Sequence, residues 1–213
     1  MAIYLDSANL EEARRAKELG WIYGVTTNPF LMAKTRMPPE VTLKALAQLN
    51  FREVYYQLVS QEIDEMLVEA SEAIRLVRYG LVLKIPPTEN GFRFVAQHAG
   101  NFPCCVTAIF DPAQALVARE AGARYIAVYV HRATKNLGDG PALVECLAKV
   151  LRGSKTEILA ASLKSAKEAV EACNAGAQHI TAPFGVLMSL WNHPLSTETL
   201  EQFGAEGAGI RWK

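Results

Sequence analysis

Two spacings of apolar residues alternate along the chain. Short apolar runs bounded mostly by Gly, Pro, Asn or Asp read as strands: Ile3–Asp6, Gly24–Thr26, Val54–Val59, Leu81–Pro86, Cys104–Phe110, Tyr125–His131, Glu157–Ser162 and His179–Ala182. Between several of them the apolar positions recur three and four residues apart, the period of a helix. Leu10–Leu19 carries Leu10, Ala13, Ala16 and Leu19 on one face and opens after Ser7 and Asn9, both suited to capping. Ile63–Arg78 repeats the pattern with Ile63, Met66, Leu67, Ala70 and Ala73, and Pro112–Ala121 begins with Asp111 at the cap and Pro at the first helical position. Pro141–Leu151 and Ser165–Ala175 read the same way, and Gly20, Gly122, Gly153 and Gly176 stand where helices end in the left-handed conformation.

Eight strand-like runs separated by helical segments predict an α/β protein with a parallel sheet, and eight is the number that closes a (β/α)8 TIM barrel. The competing fold, an open doubly wound sheet, calls for a G-x-G-x-x-G loop after the first strand, which the sequence lacks. At 213 residues the chain sits toward the short end for a barrel, so its loops must be short. No stretch reads as a linker, and residues 1–213 are expected to form one barrel domain with C-terminal helices. The C-terminal apolar positions Leu187, Leu190, Trp191, Leu195, Leu200 and Phe203 exceed what a solvated tail needs. They predict packing either on a neighbouring subunit or over the barrel's own mouth.

Composition narrows the function classes. Half the residues are apolar, 21% are charged, and 22 Lys+Arg balance 22 Asp+Glu, which fits an ordinary globular protein and argues against a nucleic-acid footprint. No apolar run approaches the roughly 18–20 residues of a membrane helix, and the N-terminal residues lack a basic head or cleavable segment, so a cytoplasmic location without membrane contact is expected. Cys104, Cys105, Cys146 and Cys173 show no C-x-x-C spacing and read as core filler. His98, His131, His179 and His193 lack helical ligand spacing, so no metal is expected.

In such barrels reactive groups stand at the C-terminal ends of strands. Polar side chains interrupt seven runs there: Asp6, Asn28, Gln57, Lys84, Thr107, Tyr129 with Arg132, and Ser162. Lys84 shares a strand face with Val82, opposite Leu81, Leu83 and Ile85. If the Leu-Leu-Ile side packs on helices, Lys84 points into the barrel, where desolvation favours the neutral, nucleophilic amine. Such an amine forms Schiff bases with ketones. Spacing alone equally admits a lysine that reaches solvent or sits in a buried ion pair. Taken alone, Asp6 reads first as a helix cap, and Arg132 or Lys164 as a solvated surface charge.

Leu-Asp-Ser-Ala-Asn (5–9), Gly-Val-Thr-Thr-Asn-Pro (24–29), Lys-Ile-Pro (84–86), Gly-Asp-Gly (138–140) and Leu-Ala-Ala-Ser-Leu-Lys (159–164) together resemble the transaldolase family almost end to end. The likeness is greatest to its small branch, the fructose-6-phosphate aldolases and their transaldolase-like relatives. It implies a class I aldolase barrel, assembled into pentameric or decameric homo-oligomers, that acts on a sugar phosphate without a cofactor. It also implies that Lys84 is the Schiff-base lysine and that Asp6 moves the proton of the substrate hydroxyl beside the cleaved bond. Transaldolases carry Glu at the end of the third strand and usually Phe where this chain has Tyr129. Gln57, Tyr129 and Ala127 follow the fructose-6-phosphate aldolase pattern.

On that pattern Gln57, Thr107 and Tyr129 would hold one proton-shuttling water. Asn28 and Thr26 would bind the dihydroxyacetone half, and Arg132, Ser162 and Lys164 the phosphate. Phe30, where the family usually has Ser, would narrow the pocket or shift Asn28, and Lys135 is a further candidate phosphate or solvent contact. The expected activity is reversible cleavage of fructose 6-phosphate to dihydroxyacetone and glyceraldehyde 3-phosphate. The alternatives are transaldolase transfer of the same unit in the pentose phosphate route, and a non-catalytic phosphosugar-binding barrel in which Lys84 only pairs with Asp6.

Overall fold

The structure, a computed structural model, describes residues 1–210; the last three residues of the expected 1–213 unit lie outside it. The elements run β1 (Ala2–Asp6), α1 (Leu10–Glu18), β2 (Gly24–Thr26), α2 (Pro29–Lys34), α3 (Pro39–Ala47), β3 (Glu53–Gln57), α4 (Ile63–Val77), β4 (Leu81–Ile85), α5 (Glu89–His98) and β5 (Cys104–Ile109). They continue with α6 (Pro112–Glu120), β6 (Tyr125–Tyr129), α7 (Val130–Leu137), α8 (Gly140–Val150), β7 (Glu157–Ala161), α9 (Ala166–Asn174), β8 (His179–Ala182), α10 (Phe184–Ser189) and α11 (Pro194–Glu206). The eight strands are all parallel and close in sequence order, β8 pairing with β1. This is the (β/α)8 barrel that the eight runs predict.

Strand alternation sorts the residues. Leu5, Val25, Val54, Leu83, Ile85, Val106, Ile126, Val128, Ile158 and Ile180 face outward into one apolar layer shared with the helices. Tyr4, Tyr55, Val82, Cys105, Tyr125, Ala127 and Leu159 fill the barrel itself. Lys84 therefore points inward, as the outward Leu83 and Ile85 require. Gly24 has no substitute here, because a Cβ would lie 2.4 Å from the Glu53 carbonyl oxygen and 2.8 Å from the Tyr4 ring. The register between β5 and β6 slips by one residue between Val106 and Ile109, where Ala108 adopts φ +56°, and this bulge tightens the turn beyond the inward Thr107.

Several expectations are corrected. The run read as a strand to His131 ends at Tyr129, because the chain turns directly into α7, which puts Arg132 on a helix. The run read to Val59 ends at Gln57, because Glu69 draws the amides of Val59 and Ser60 out of the ladder at 3.1 and 2.9 Å. Helices α2, α3, α5 and α7 were missing from the sequence reading. Two start at prolines after polar segments, and α5 contains Gly91, whose Cβ would lie 2.2 Å from the Pro86 carbonyl. Cys146 is exposed and Cys173 only partly buried, so core filling holds for Cys104 and Cys105 alone. Of the C-terminal apolar side chains, Leu187 is buried in the core and Leu190 packs against it, whereas α11 buries none of its residues and Trp191 meets Trp21 edge-on at 5.8 Å.

The floor of the barrel is polar and closed. The Glu53 carboxylate accepts from Tyr4 Oη at 2.8 Å, Tyr55 Oη at 3.1 Å and Tyr125 Oη at 3.1 Å, and Arg124 approaches to 3.4 Å. Burial, reinforced by the Glu53 charge, holds the Tyr4 and Tyr125 phenols above their ordinary titration range, so they remain donors. Glu53→Ala would strand three buried hydroxyls and is expected to cost about 3–5 kcal/mol in urea denaturation. Tyr4→Phe, which removes one donor, is expected to cost about 1 kcal/mol.

Candidate active site

At the opposite end the same alternation brings inward side chains at the ends of most strands to a cavity of about 1220 Å³. Asp6 follows Tyr4, Gln57 follows Tyr55, Lys84 follows Val82 and Tyr129 follows Ala127, each two positions beyond an interior side chain. Lys84 is only 4% exposed, and its Nζ donates to the Thr27 carbonyl at 2.8 Å rather than to Asp6. This bond aims the amine across the barrel without neutralising it in an ion pair.

Asp6 is half-buried and lines the same cavity. Its Oδ1 accepts from Thr26 Oγ1 at 3.0 Å, and Thr26 Oγ1 also meets Thr181 Oγ1 at 2.6 Å. Burial raises its carboxyl above the ordinary carboxylate range, while Lys84, the Thr26 hydroxyl and Lys164 pull the other way. The capping reading of Asp6 falls to Asn9, whose Oδ1 accepts from Glu11 and Glu12 amides at 2.8 and 3.3 Å.

Thr107 Oγ1 lies 3.3 Å from Tyr129 Oη, and Phe110 braces the Tyr129 ring edge-on at 5.8 Å. Gln57 Oε1 is buried without a hydrogen-bond partner among the described residues. Gln57 and Tyr129 line the cavity, Thr107 sits behind Tyr129, and buried Ala127 completes the wall. An unpaired buried carbonyl on the cavity wall is free to accept a hydrogen bond from a bound molecule.

The remaining expected residues also converge, with exceptions. Asn28 lines the cavity but uses Oδ1 to cap α2 through Leu31 N at 2.9 Å. Arg132, Ser162 and Lys164 line one side of the mouth; Arg132 Cζ stands 4.9 Å over the Tyr129 ring, and Ser162 adopts φ +62°. Lys135 is exposed and absent from the cavity wall. Phe30 lines the cavity at its outer edge, where it is 69% exposed, with Lys34 Nζ 4.4 Å from its ring centre. The sequence reading missed Lys34, Thr181 and the Thr27 carbonyl. Thr181 was legible as the penultimate residue of an inward-facing strand pair; a carbonyl ligand leaves no side-chain signal.

A family model described as Transaldolase/Fructose-6-phosphate aldolase matches residues 3–208. A "Probable transaldolase" of Geobacillus sp. (strain WCH70) is 34% identical over 209 residues, 97% of this chain and 98% of its own length. One from Lactiplantibacillus plantarum (strain ATCC BAA-793 / NCIMB 8826 / WCFS1) is 36% identical, covering 97% and 96%. Among solved structures, thiamine phosphate pyrophosphorylase from Pyrococcus furiosus superposes with TM-score 0.60 at 16% identity, covering 98% and 97%, which speaks to the fold alone.

Ionising Asp6 is costlier in the fold than in the unfolded chain, since its carboxyl is raised mainly by burial. That cost is absent below about pH 4, where both states are protonated, and grows as pH rises. Asp6→Asn is therefore expected to raise Tm by about 2–4 °C near pH 8. The gain should vanish toward about pH 4 in a series of melts; an equal gain at both ends contradicts the burial account.

Proposed function

This chain belongs to the transaldolase/fructose-6-phosphate aldolase family, and on that premise we propose that it is a class I enzyme acting on a ketose phosphate through a Schiff base at Lys84. The observation that carries the reading is a buried lysine at the cavity's base with Asp6, Gln57 and Tyr129 around the same space. The Lys84 amine adds to the ketone carbon, and loss of one water leaves an iminium. Asp6 takes the proton of the neighbouring hydroxyl, the carbon–carbon bond breaks, and its electron pair neutralises the iminium to an enamine. The aldehyde phosphate departs.

The fate of the enamine distinguishes two activities. In transfer, its carbon attacks the carbonyl of an acceptor aldose phosphate and the steps run backward. The printed names of the relatives support this transaldolase reading. In release, a proton adds to the enamine carbon and water hydrolyses the iminium, freeing dihydroxyacetone and Lys84. Gln57, Thr107 and Tyr129 favour this second reading, because they supply an uncharged oxygen site from which water can deliver a proton. Arg132, Ser162 and Lys164 suit the phosphate of either substrate, and a ring of five or ten subunits in the cytoplasm fits both.

Borohydride in the presence of fructose 6-phosphate or dihydroxyacetone is expected to fix a covalent adduct that mass spectrometry maps to Lys84. Lys84→Met should fold yet lose the adduct and all turnover, and an unmodified wild-type protein would leave only a phosphosugar-binding barrel. Product analysis then separates the two activities: turnover that depends on an acceptor aldose marks transfer, and free dihydroxyacetone without acceptor marks release. Tyr129→Phe is expected to lower kcat by about 10²–10⁴, the range of general acid–base contributions, and Gln57→Glu should move products toward transfer.

A further inference from the structure

A carboxylate outside the cavity joins the two loops that border its cationic side. Helix α9 begins with Ser165-x-x-Glu168, and Ser165 Oγ accepts from the Glu168 amide at 3.1 Å, half of a reciprocal cap. In the usual arrangement the glutamate side chain returns to the cap residue's own amide. Here it reaches further. Glu168 Oε2 accepts from the Lys164 amide at 2.8 Å, while Oε1 lies 2.7 Å from His131 Nδ1 on the first turn of α7.

These contacts tie together two separate βα units. His131 adjoins Arg132, and Lys164 stands two residues beyond Ser162. Each loop needs the tie. Helix α7 starts at Tyr129 with no side-chain cap, so its first turn lacks the usual polar fastening. The turn after β7 holds Ser162 at φ +62°, which a non-glycine residue keeps only where its surroundings over-determine it. Fully buried Leu163 pins one side of that turn, and the Lys164–Glu168 bond pins the other. Neither His131 nor Glu168 lines the cavity.

We propose that the His131–Glu168 pair is a positioning clamp that sets the spacing of Arg132 from the Ser162–Lys164 turn and thereby the affinity for the substrate's phosphate. The inference rests on the reading of that side as the phosphate site. Affinity for a tetrahedral dianion depends on donors from both loops reaching it together, and a charge-assisted hydrogen bond fixes that separation better than apolar contact does. The clamp therefore acts on phosphorylated substrates and leaves the chemistry at Lys84 alone.

Titration with inorganic phosphate by calorimetry, alongside kinetics, tests this. His131→Ala is expected to raise the phosphate Kd about tenfold, as expected for losing one hydrogen bond to a charged group, and Glu168→Ala, which also loses the Lys164 amide bond, at least as much. KM for the phosphorylated ketose should rise equally, with kcat within about twofold and KM for unphosphorylated dihydroxyacetone unchanged. His131→Asn keeps a donor toward Glu168 and should restore wild-type affinity, which a merely structural role would not predict. If Arg132→Ala weakens phosphate binding while both clamp variants bind like wild type, the clamp is refuted and the phosphate site stands. If Arg132→Ala leaves phosphate binding unchanged, the phosphate site is refuted and the clamp with it. Equal losses with dihydroxyacetone would mark general damage and also overturn the proposal.

Discussion

The two-residue period of the strand pleat is the constraint on which everything else in this barrel depends. Once Leu83 and Ile85 are committed to the layer under the helices, Val82 and Lys84 have no choice but the interior. The same holds around the ring, so Tyr4, Tyr55, Val82, Cys105 and Ala127 make a packed waist directly beneath Asp6, Gln57, Lys84, Thr107 and Tyr129. Core and site are thus one decision: a slip of one residue in any strand would turn a reactive group into the helical layer and a hydrophobe into the cavity. The bulge in β5 obeys the same rule, because it falls after Thr107 and leaves the inward positions of that strand intact.

The barrel's two ends treat buried polarity in opposite ways. At the floor, Glu53 has three phenols and a guanidinium, and its ligands come from β1, β3 and β6 so that it also locks the barrel's closure. At the mouth, the partners are incomplete among the described residues: Gln57 Oε1 has none, and Asp6 has the Thr26 hydroxyl but forms no ion pair, feeling Lys84 and Lys164 only at longer range. A satisfied network stabilises, and an unsatisfied one stores the capacity to bind. The apolar waist keeps the two apart, so the polarity of the mouth does not unseat the floor.

Most of this was legible in the chain. Period-2 and period-3.6 patterns located all eight strands, and the strand-end rule selected the residues that the fold brings to one cavity. What escaped has identifiable physical causes. Helix α5 hides behind Gly91, which close approach to the Pro86 carbonyl demands, and α7 hides because Val130 continues the apolar run of β6 into a helix. The dual role of Asn28, capping α2 while lining the cavity, is invisible to a pattern that assigns each side chain one partner. Glu53 was missed because a buried carboxylate at a strand's first position looks like a polar boundary until the tyrosines of distant strands are known to meet it.

The amide at position 57 has an electrostatic meaning that register makes explicit. Gln57 and Lys84 are directly paired across β3 and β4. A carboxylate at 57 would stand beside the amine in a site of low dielectric, and an adjacent negative charge favours the ammonium form. An amide removes that charge and offers a carbonyl that cannot hold a proton, so Asp6 is left as the nearest cavity carboxylate, itself raised by burial. Gln at 57 therefore leaves the position directly across from Lys84 without a carboxylate. Were the proposed enamine formed at Lys84, the cavity would meet it there with an amide where a carboxylate would otherwise stand directly across the β3–β4 pair.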